Sequence, residues 1–124
     1  MKTKKKSLVL VVEDDPTSGL LYKNFIETKG FEVLIVTDGK EAIKAVIHHP
    51  DIRVILMDIR LPEMDGISTM KEIKKMRKNI PIIAQTAYAM AEDKNKLLEA
   101  GFDNYLSKPV KSAALYEILL PYLE

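Results

Sequence analysis

The chain has 124 residues, of which 47% are apolar and 30% are charged, and its 19 basic and 18 acidic side chains leave a formal net charge of +1. This length and balance suit one globular domain with its own core and exclude a chain that is disordered throughout. The sequence contains no cysteine, which excludes disulfides, thiolate metal sites and cysteine nucleophiles. The near-neutral charge gives no broad positive field, so we expect no direct nucleic-acid partner.

The amino terminus predicts a solvated tail rather than a targeting segment. Residues 1–6 carry four lysines, and the apolar run Leu8–Val12 that follows has five residues. A signal peptide needs roughly 7–15 apolar residues and a membrane span needs about 20. We therefore expect a basic tail over 1–6, one domain over 7–122, no membrane insertion and a cytoplasmic location.

Five short runs rich in β-branched and aliphatic residues predict strands. The first four do not alternate between apolar and polar residues, which is typical of strands covered on both faces in a parallel sheet. The runs are Leu8–Val12, Val33–Val36, Val54–Met57, Ile80–Ala84 and the weaker Tyr105–Leu106.

A helical spacing of apolar residues follows each run. The predicted buried faces are Leu21, Tyr22, Phe25 and Ile26; Ala42, Ile43, Val46 and Ile47; Ile67, Met70, Ile73 and Met76; Met90, Lys94, Leu97 and Leu98; and Leu115, Ile118, Leu119 and Tyr122. Start and stop signals accompany them at Asp15, Asp38 with Glu41, Asp65, Gly30 and Gly101. The five βα units predict an α/β fold, a doubly wound parallel sheet with helices on both faces.

In such a sheet, functional groups gather beyond the carboxyl ends of the strands. These positions hold Glu13 and Asp14 after the first strand, Asp58 after the third, Thr86 after the fourth and Lys108 after the fifth. If the first and third strands are neighbours, their three carboxylates converge and repel one another unless a cation is bound. A hard divalent cation with oxygen ligands resolves this repulsion, so we expect Mg²⁺, with Mn²⁺ as a possible substitute.

Each of these residues alone has an ordinary structural explanation. Asp14 and Asp58 are typical turn or cap residues, Thr86 can simply close a strand, and Lys108 can simply form an ion pair. Lys108 precedes a proline, so its peptide bond can be trans or cis. Together, however, a carboxylate nucleophile, a metal site, a lysine and a hydroxyl are the parts needed for phosphoryl transfer.

At these positions the chain resembles the receiver domain of two-component response regulators, from Leu8 to about Tyr122. Five motifs in order carry the resemblance: Val11–Asp15, Asp58 with Leu61–Gly66, Thr86-Ala87, Tyr105, and Lys108-Pro109. The resemblance implies the flavodoxin-like receiver fold with strand order 2-1-3-4-5.

The resemblance also implies roles for individual residues. Asp58 would be the phosphoacceptor. The metal would be held by Asp58, Asp14, Glu13 and the backbone carbonyl of Arg60. Thr86 and Lys108 would hold phosphoryl oxygens, and Tyr105 would be the aromatic switch.

The implied donor is a phosphohistidine on a histidine kinase or a phosphotransfer domain. A downstream protein would bind the surface of the fourth helix, fifth strand and fifth helix, roughly 90–122, and the domain would be a monomer or a phosphorylation-dependent dimer. It would catalyse only its own phosphorylation and dephosphorylation, although a hybrid parent chain would be a histidine kinase. The stretch Ala84–Met90 resembles hybrid-kinase receivers, and a stand-alone regulator is the other context.

Three positions vary within that family. Glu13 stands where aspartate is commoner and is longer by one methylene group. Arg60 and Tyr88 lie two residues after Asp58 and Thr86, at positions that tune phosphoryl lifetime, and their size predicts slow self-dephosphorylation.

Three alternatives compete with a phosphoacceptor. A haloacid-dehalogenase-like phosphatase needs D-x-D-x-T, but Glu13, Asp15 and Thr17 occupy that register. A flavodoxin-like cofactor binder needs a Ser/Thr/Gly-rich loop where this chain is acidic. The third alternative is a receiver used as a docking module independent of phosphorylation.

Overall fold

The computed structural model describes residues 7–87 and 91–123. The strands are β1 (Leu8–Val12), β2 (Glu32–Val36), β3 (Ile52–Asp58), β4 (Ile82–Thr86) and β5 (Asn104–Ser107). The helices are α1 (Pro16–Thr28), α2 (Gly39–His48), α3 (Gly66–Met76), α4 (Ala91–Ala100) and α5 (Ser112–Leu123). The predicted basic tail over 1–6, Tyr88 and Met90 lie outside the described residues.

All five strands are parallel and form one sheet in the order β2-β1-β3-β4-β5. This confirms the predicted fold class and strand order. The chain adds β2 on one side of β1 and β3 on the other, so the strand order switches direction there. The carboxyl ends of β1 and β3 therefore border the cleft where ligands bind in sheets of this kind.

The core lies in two layers, one on each face of the sheet. Alternate residues of the central strands face opposite layers, as Leu10 and Ile55 do on one side and Val9 and Leu56 on the other. All residues of β1 and β4 are buried. Burial on both faces is why their sequences do not alternate.

The predicted fourth strand is wrong by two residues. Ile80 is buried, but Pro81 has no N–H to donate and contributes only its carbonyl, which accepts from Ile55 N at 3.0 Å. Pairing with β3 starts at Ile82, so the strand runs on to Thr86, which becomes its last residue.

Four residues predicted to face the core are exposed instead. Three of them stand directly before or after a buried residue, and because consecutive helical residues point about 100° apart, the side chain at the edge of the apolar stripe is left in solvent. The fourth is the last residue of α3. Small residues such as Ala45 are buried in their place. The exposed residues are Leu21, Ile47, Met76 and Leu98.

The predicted helix boundaries rest on caps that the structure contains. Asp15, Asp38 and Asp65 each accept a hydrogen bond from the backbone N–H three residues later, at 3.2, 2.8 and 2.7 Å. Gly30 and Gly101, with φ of 89° and 129°, follow α1 and α4 in the left-handed region that favours glycine. None of the described helices is long and apolar enough to cross a membrane.

Candidate functional site

Three acidic side chains from two strand ends meet at the switch in strand order. Glu13, Asp14 and Asp58 each offer a carboxylate oxygen, and these oxygens lie within 4.8 Å of one another. Glu13 is 1% exposed and Asp58 is 5% exposed, whereas Asp14 faces solvent. Glu13 N donates to Val36 O at 3.0 Å, which continues the β1–β2 pairing and fixes Glu13 beside the end of β3.

Lys108 reaches this acidic cluster from the end of β5. Its Nζ donates to Asp58 Oδ2 at 2.8 Å and lies 3.2 Å from Glu13 Oε1. Its backbone N donates to Thr86 O at 2.8 Å, and its bond to Pro109 is cis. Burial lowers the pKa of Lys108, but Asp58 and Glu13 outweigh that effect and raise the pKa above its ordinary value. The lysine is therefore cationic at neutral pH.

The second oxygen of Asp58 is held by the chain itself. Arg60 N donates to Asp58 Oδ1 at 3.1 Å. The turn that follows Asp58 is tight and brings the backbone of Asp58 and Ile59 close to Gly66. A Cβ at position 66 would therefore collide with Asp58 O and with Ile59 Cα. Only glycine fits this position, which explains the Asp65-Gly66 motif after the third strand. Asp65 itself caps α3 through Ser68 N.

A cleft of about 270 Å³ opens over these groups. It is lined by Glu13, Asp14, Asp15, Ser18, Asp58, Ile59, Arg60, Thr86, Ala87 and Lys108. Sequence analysis predicted six of these as site residues. A larger cavity of about 480 Å³ lies between α1 and α5, but its lining contains none of the acidic cluster.

Thr86 and Tyr105 lie on the opposite face of the sheet from Asp58. Thr86 is buried at the end of β4 and lines the cleft. Tyr105 is paired in register with Ala84, two residues before Thr86, so both side chains point to the same face. The Tyr105 ring is partly buried, and Lys94 Nζ lies 5.0 Å from its centroid.

Burial leaves Glu13 strongly perturbed. Desolvation, together with the adjacent Asp58 carboxyl, raises the pKa of Glu13 from its ordinary 4.5 to about 7, against the lowering effect of Lys108. Its buried Oε1 faces the ammonium of Lys108, whose Nζ lies 3.2 Å away and also bonds Asp58. This carboxylate is costly to ionise without a further cation.

The metal-free stability should therefore depend on pH through Glu13. A raised carboxyl pKa means that the folded state binds the extra proton between pH 4.5 and about 7, so stability falls as pH rises through that window, by roughly 3 kcal/mol. Glu13→Gln removes this component, and the variant should gain stability relative to wild type between pH 5 and pH 8 in EDTA. Denaturant unfolding measures the free energy of unfolding at each pH, with the exposed Glu99→Gln as the control. A stability difference between Glu13→Gln and wild type that does not change with pH would contradict the prediction.

Gln85 is a residue that sequence analysis did not single out. It is fully buried in β4, next to Asp58 in register, and neither polar atom of its side chain has a hydrogen-bond partner among the described residues. The sequence could have indicated this residue, because Gln85 is an amide that directly follows the apolar residues Ile82–Ala84 within one strand.

The model of the response regulator receiver domain matches residues 9–120. The chain belongs to this family. It is 38% identical over 118 residues to the polar-differentiation response regulator DivK of Brucella ovis, covering 93% of this chain and 94% of DivK. It is also 37% identical over 123 residues to hybrid signal transduction histidine kinase I of Dictyostelium discoideum, covering 90% of this chain and 7% of the kinase. The phosphatase and flavodoxin-like alternatives gain no support from these matches.

Solved receiver domains share the fold of this one. The receiver domain of Francisella response regulator 1452 superposes with a TM-score of 0.87 at 32% identity, covering 95% of this chain and 97% of that one. The receiver domain of the Pseudomonas aeruginosa sensor histidine kinase PA1611 has a TM-score of 0.86 at 36% identity, covering 96% and 98%. That structure has a magnesium ion coordinated in the active site cleft.

Proposed function

We propose that this receiver domain accepts a phosphoryl group on Asp58 from a phosphohistidine of a histidine kinase or phosphotransfer protein. The observation that carries the proposal is the setting of the Asp58 carboxylate, which lies in an open cleft beside two other acids and bonds Lys108 at 2.8 Å. A carboxylate used only as a cap or an ion-pair partner would not need two further acids within 4.8 Å.

The residues at this site fit a divalent cation. Their donors are hard carboxylate oxygens, and the two buried carboxylates, Glu13 and Asp58, share the ammonium of Lys108, which leaves negative charge at the site for a cation to balance. Glu13, Asp14, Asp58 and the backbone carbonyl of Arg60 would hold Mg²⁺, and Mn²⁺ could substitute. The bound ion would neutralise negative charge on the incoming phosphoryl group.

The proposed reaction transfers a phosphoryl group to the Asp58 carboxylate. One carboxylate oxygen attacks phosphorus, the bond from phosphorus to the donor imidazole breaks, and an aspartyl phosphate forms. Lys108 and the Thr86 hydroxyl hold the phosphoryl oxygens. The added negative charge favours a minor conformation in which Thr86 and Tyr105 shift and the α4-β5-α5 surface changes.

A direct test is incorporation of phosphoryl from acetyl phosphate. The protein should gain the mass of one phosphoryl group when Mg²⁺ or Mn²⁺ is present, and EDTA should prevent the gain. Intact-protein mass spectrometry measures both. Incorporation that is indifferent to EDTA, or no incorporation with Mg²⁺ and a purified phosphohistidine donor, would contradict the proposal.

The biological setting proposed here is a cytoplasmic two-component pathway. The relatives include both a protein of nearly the same length and a hybrid kinase in which the match is a small part, so both a stand-alone regulator and a hybrid sensor kinase fit. A downstream protein is proposed to bind α4-β5-α5. The domain would act as a monomer or a phosphorylation-dependent dimer.

Phosphoryl lifetime should depend on Arg60, which is exposed at the rim of the cleft. Its long side chain limits the approach of water to an aspartyl phosphate. Arg60→Ala should shorten the half-life several-fold, and adding Tyr88→Ala should shorten it further. Loss of phosphoryl is timed by mass spectrometry after the donor is removed, with exposed Arg53→Ala as the control, and an unchanged half-life in the double variant would refute the idea.

A further inference from the structure

Gln85 carries a buried side-chain amide. Its residue is 0% exposed, and neither Oε1 nor Nε2 has a hydrogen-bond partner among the described residues. Buried amides are almost always hydrogen-bonded, because leaving them unpaired away from water is unfavourable. An unpaired amide beside a reactive carboxylate therefore points to a second arrangement of the site in which it is paired.

The position of Gln85 is set by the register of the sheet. Gln85 pairs with Asp58, and Val12 pairs with Met57, which places Glu13 on the other side of Asp58. Directly paired residues of parallel strands point to the same face. Glu13, Asp58 and Gln85 therefore form one polar row across β1, β3 and β4, on the face covered by α1 and α5.

Lys108 crosses the sheet over this row. The lysine follows β5, its Nζ bonds Asp58 at the end of β3, and β4 lies between those two strands. Gln85 pairs with Leu106, two residues before Lys108, so all three side chains share a face. The side chain of Lys108 therefore passes over β4, and Gln85 is the residue that β4 contributes to the polar row.

The ammonium of Lys108 has three donors, and among the described residues it contacts the carboxylates of Asp58 and Glu13. Those same oxygens are the ones that a cation or a phosphoryl group would engage. When they are engaged, the ammonium of this partly buried lysine exchanges these acceptors for phosphoryl oxygens, and it still has a further donor to place. Gln85 Oε1 is an acceptor without a donor in the same row.

We propose that Gln85 is a positioning residue for Lys108, accepting a hydrogen bond from Nζ when Asp58 and Glu13 engage a cation and a phosphoryl group. In that state the carboxamide holds the lysine against the phosphoryl oxygens. In the free protein the same carboxamide has no partner in the part of the chain that the structure describes, and it destabilises the resting arrangement. The inference rests on the proposed function of Asp58.

The sequence allows a direct spectroscopic test, because Gln85 is its only glutamine. Protein labelled with ¹⁵N-glutamine should show one side-chain amide pair in a nitrogen–proton correlation spectrum. Adding Mg²⁺ with beryllofluoride, a phosphoryl mimic, should move that signal strongly. A signal that stays in place would overturn the inference.

The matched variant is Gln85→Met, which removes the carboxamide at similar volume. Its unfolding temperature without metal should rise, while its beryllofluoride affinity should fall by about tenfold, as expected for one lost hydrogen bond to a charged group. Ile83→Met, on the same strand and face, should leave the affinity unchanged. A lower unfolding temperature or an unchanged affinity in Gln85→Met overturns the inference alone, whereas wild type that binds no beryllofluoride overturns the proposed function as well.

Discussion

Replacement of Asp58 by asparagine is expected to reduce phosphoryl incorporation from acetyl phosphate to below detection. Asparagine keeps the shape and the acceptor for Arg60 N, which bonds the Asp58 carboxylate at 3.1 Å, but it lacks the anionic oxygen that attacks phosphorus. The fold should survive, because the substitution removes one of two buried neighbouring carboxylates. Intact mass after incubation with donor and Mg²⁺ measures the effect.

The matched control for this variant is Asp65→Asn, seven residues later, in the loop that joins β3 to α3. Asp65 is exposed and caps α3 through Ser68 N at 2.7 Å, a role that asparagine also performs. Incorporation should therefore stay near the wild-type level. Persistent labelling of Asp58→Asn, or loss of labelling in Asp65→Asn, would show that the phosphoacceptor lies elsewhere.

Removal of the Lys108 charge should have two opposite effects. Lys108→Met should slow phosphoryl incorporation by about a hundredfold or more, the range seen when one charge-stabilising donor is lost. It should also strengthen Mg²⁺ binding by about tenfold, because the ammonium at 2.8 and 3.2 Å from Asp58 and Glu13 repels a cation bound to the same oxygens. Incorporation rates and calorimetric Mg²⁺ titrations measure the two effects separately.

Lys111→Met is the control for that variant, because Lys111 is exposed and lies three residues along the chain. It should change neither quantity by more than a small factor. Weaker Mg²⁺ binding in Lys108→Met would mean that the lysine does not compete for the acidic oxygens. An unimpaired rate would mean that it does not stabilise the transferred group.

The fold could be predicted from the sequence because its signals are local. Apolar runs give the strands, and cap residues such as Asp38 and Gly101 give helix ends. The wrong predictions have a common cause. A run of apolar residues does not show at which residue strand pairing begins, nor which edge of a helix's apolar stripe is covered by the sheet. Pro81 shifts β4, and Ile47 follows the buried Val46 on α2 and turns to solvent.

The candidate site was predictable as a set, because strand ends meet at one edge of a parallel sheet. Two properties of the site depend on three-dimensional packing and could not be predicted from the sequence. The raised pKa of Glu13 depends on its burial beside Asp58. Gln85 lacks a partner among the described residues because the register places its amide beside Asp58, on a sheet face whose other buried residues are mostly apolar.

The most direct test of the central claim is to locate the phosphoryl group on the chain. After labelling with acetyl phosphate and Mg²⁺, borohydride reduces an aspartyl phosphate to homoserine, and peptide mass spectrometry finds where that conversion occurred. We expect homoserine at position 58 and at no other aspartate, with none formed when EDTA replaces Mg²⁺. Homoserine at position 14 or 65, or conversion that does not require the divalent cation, would contradict it.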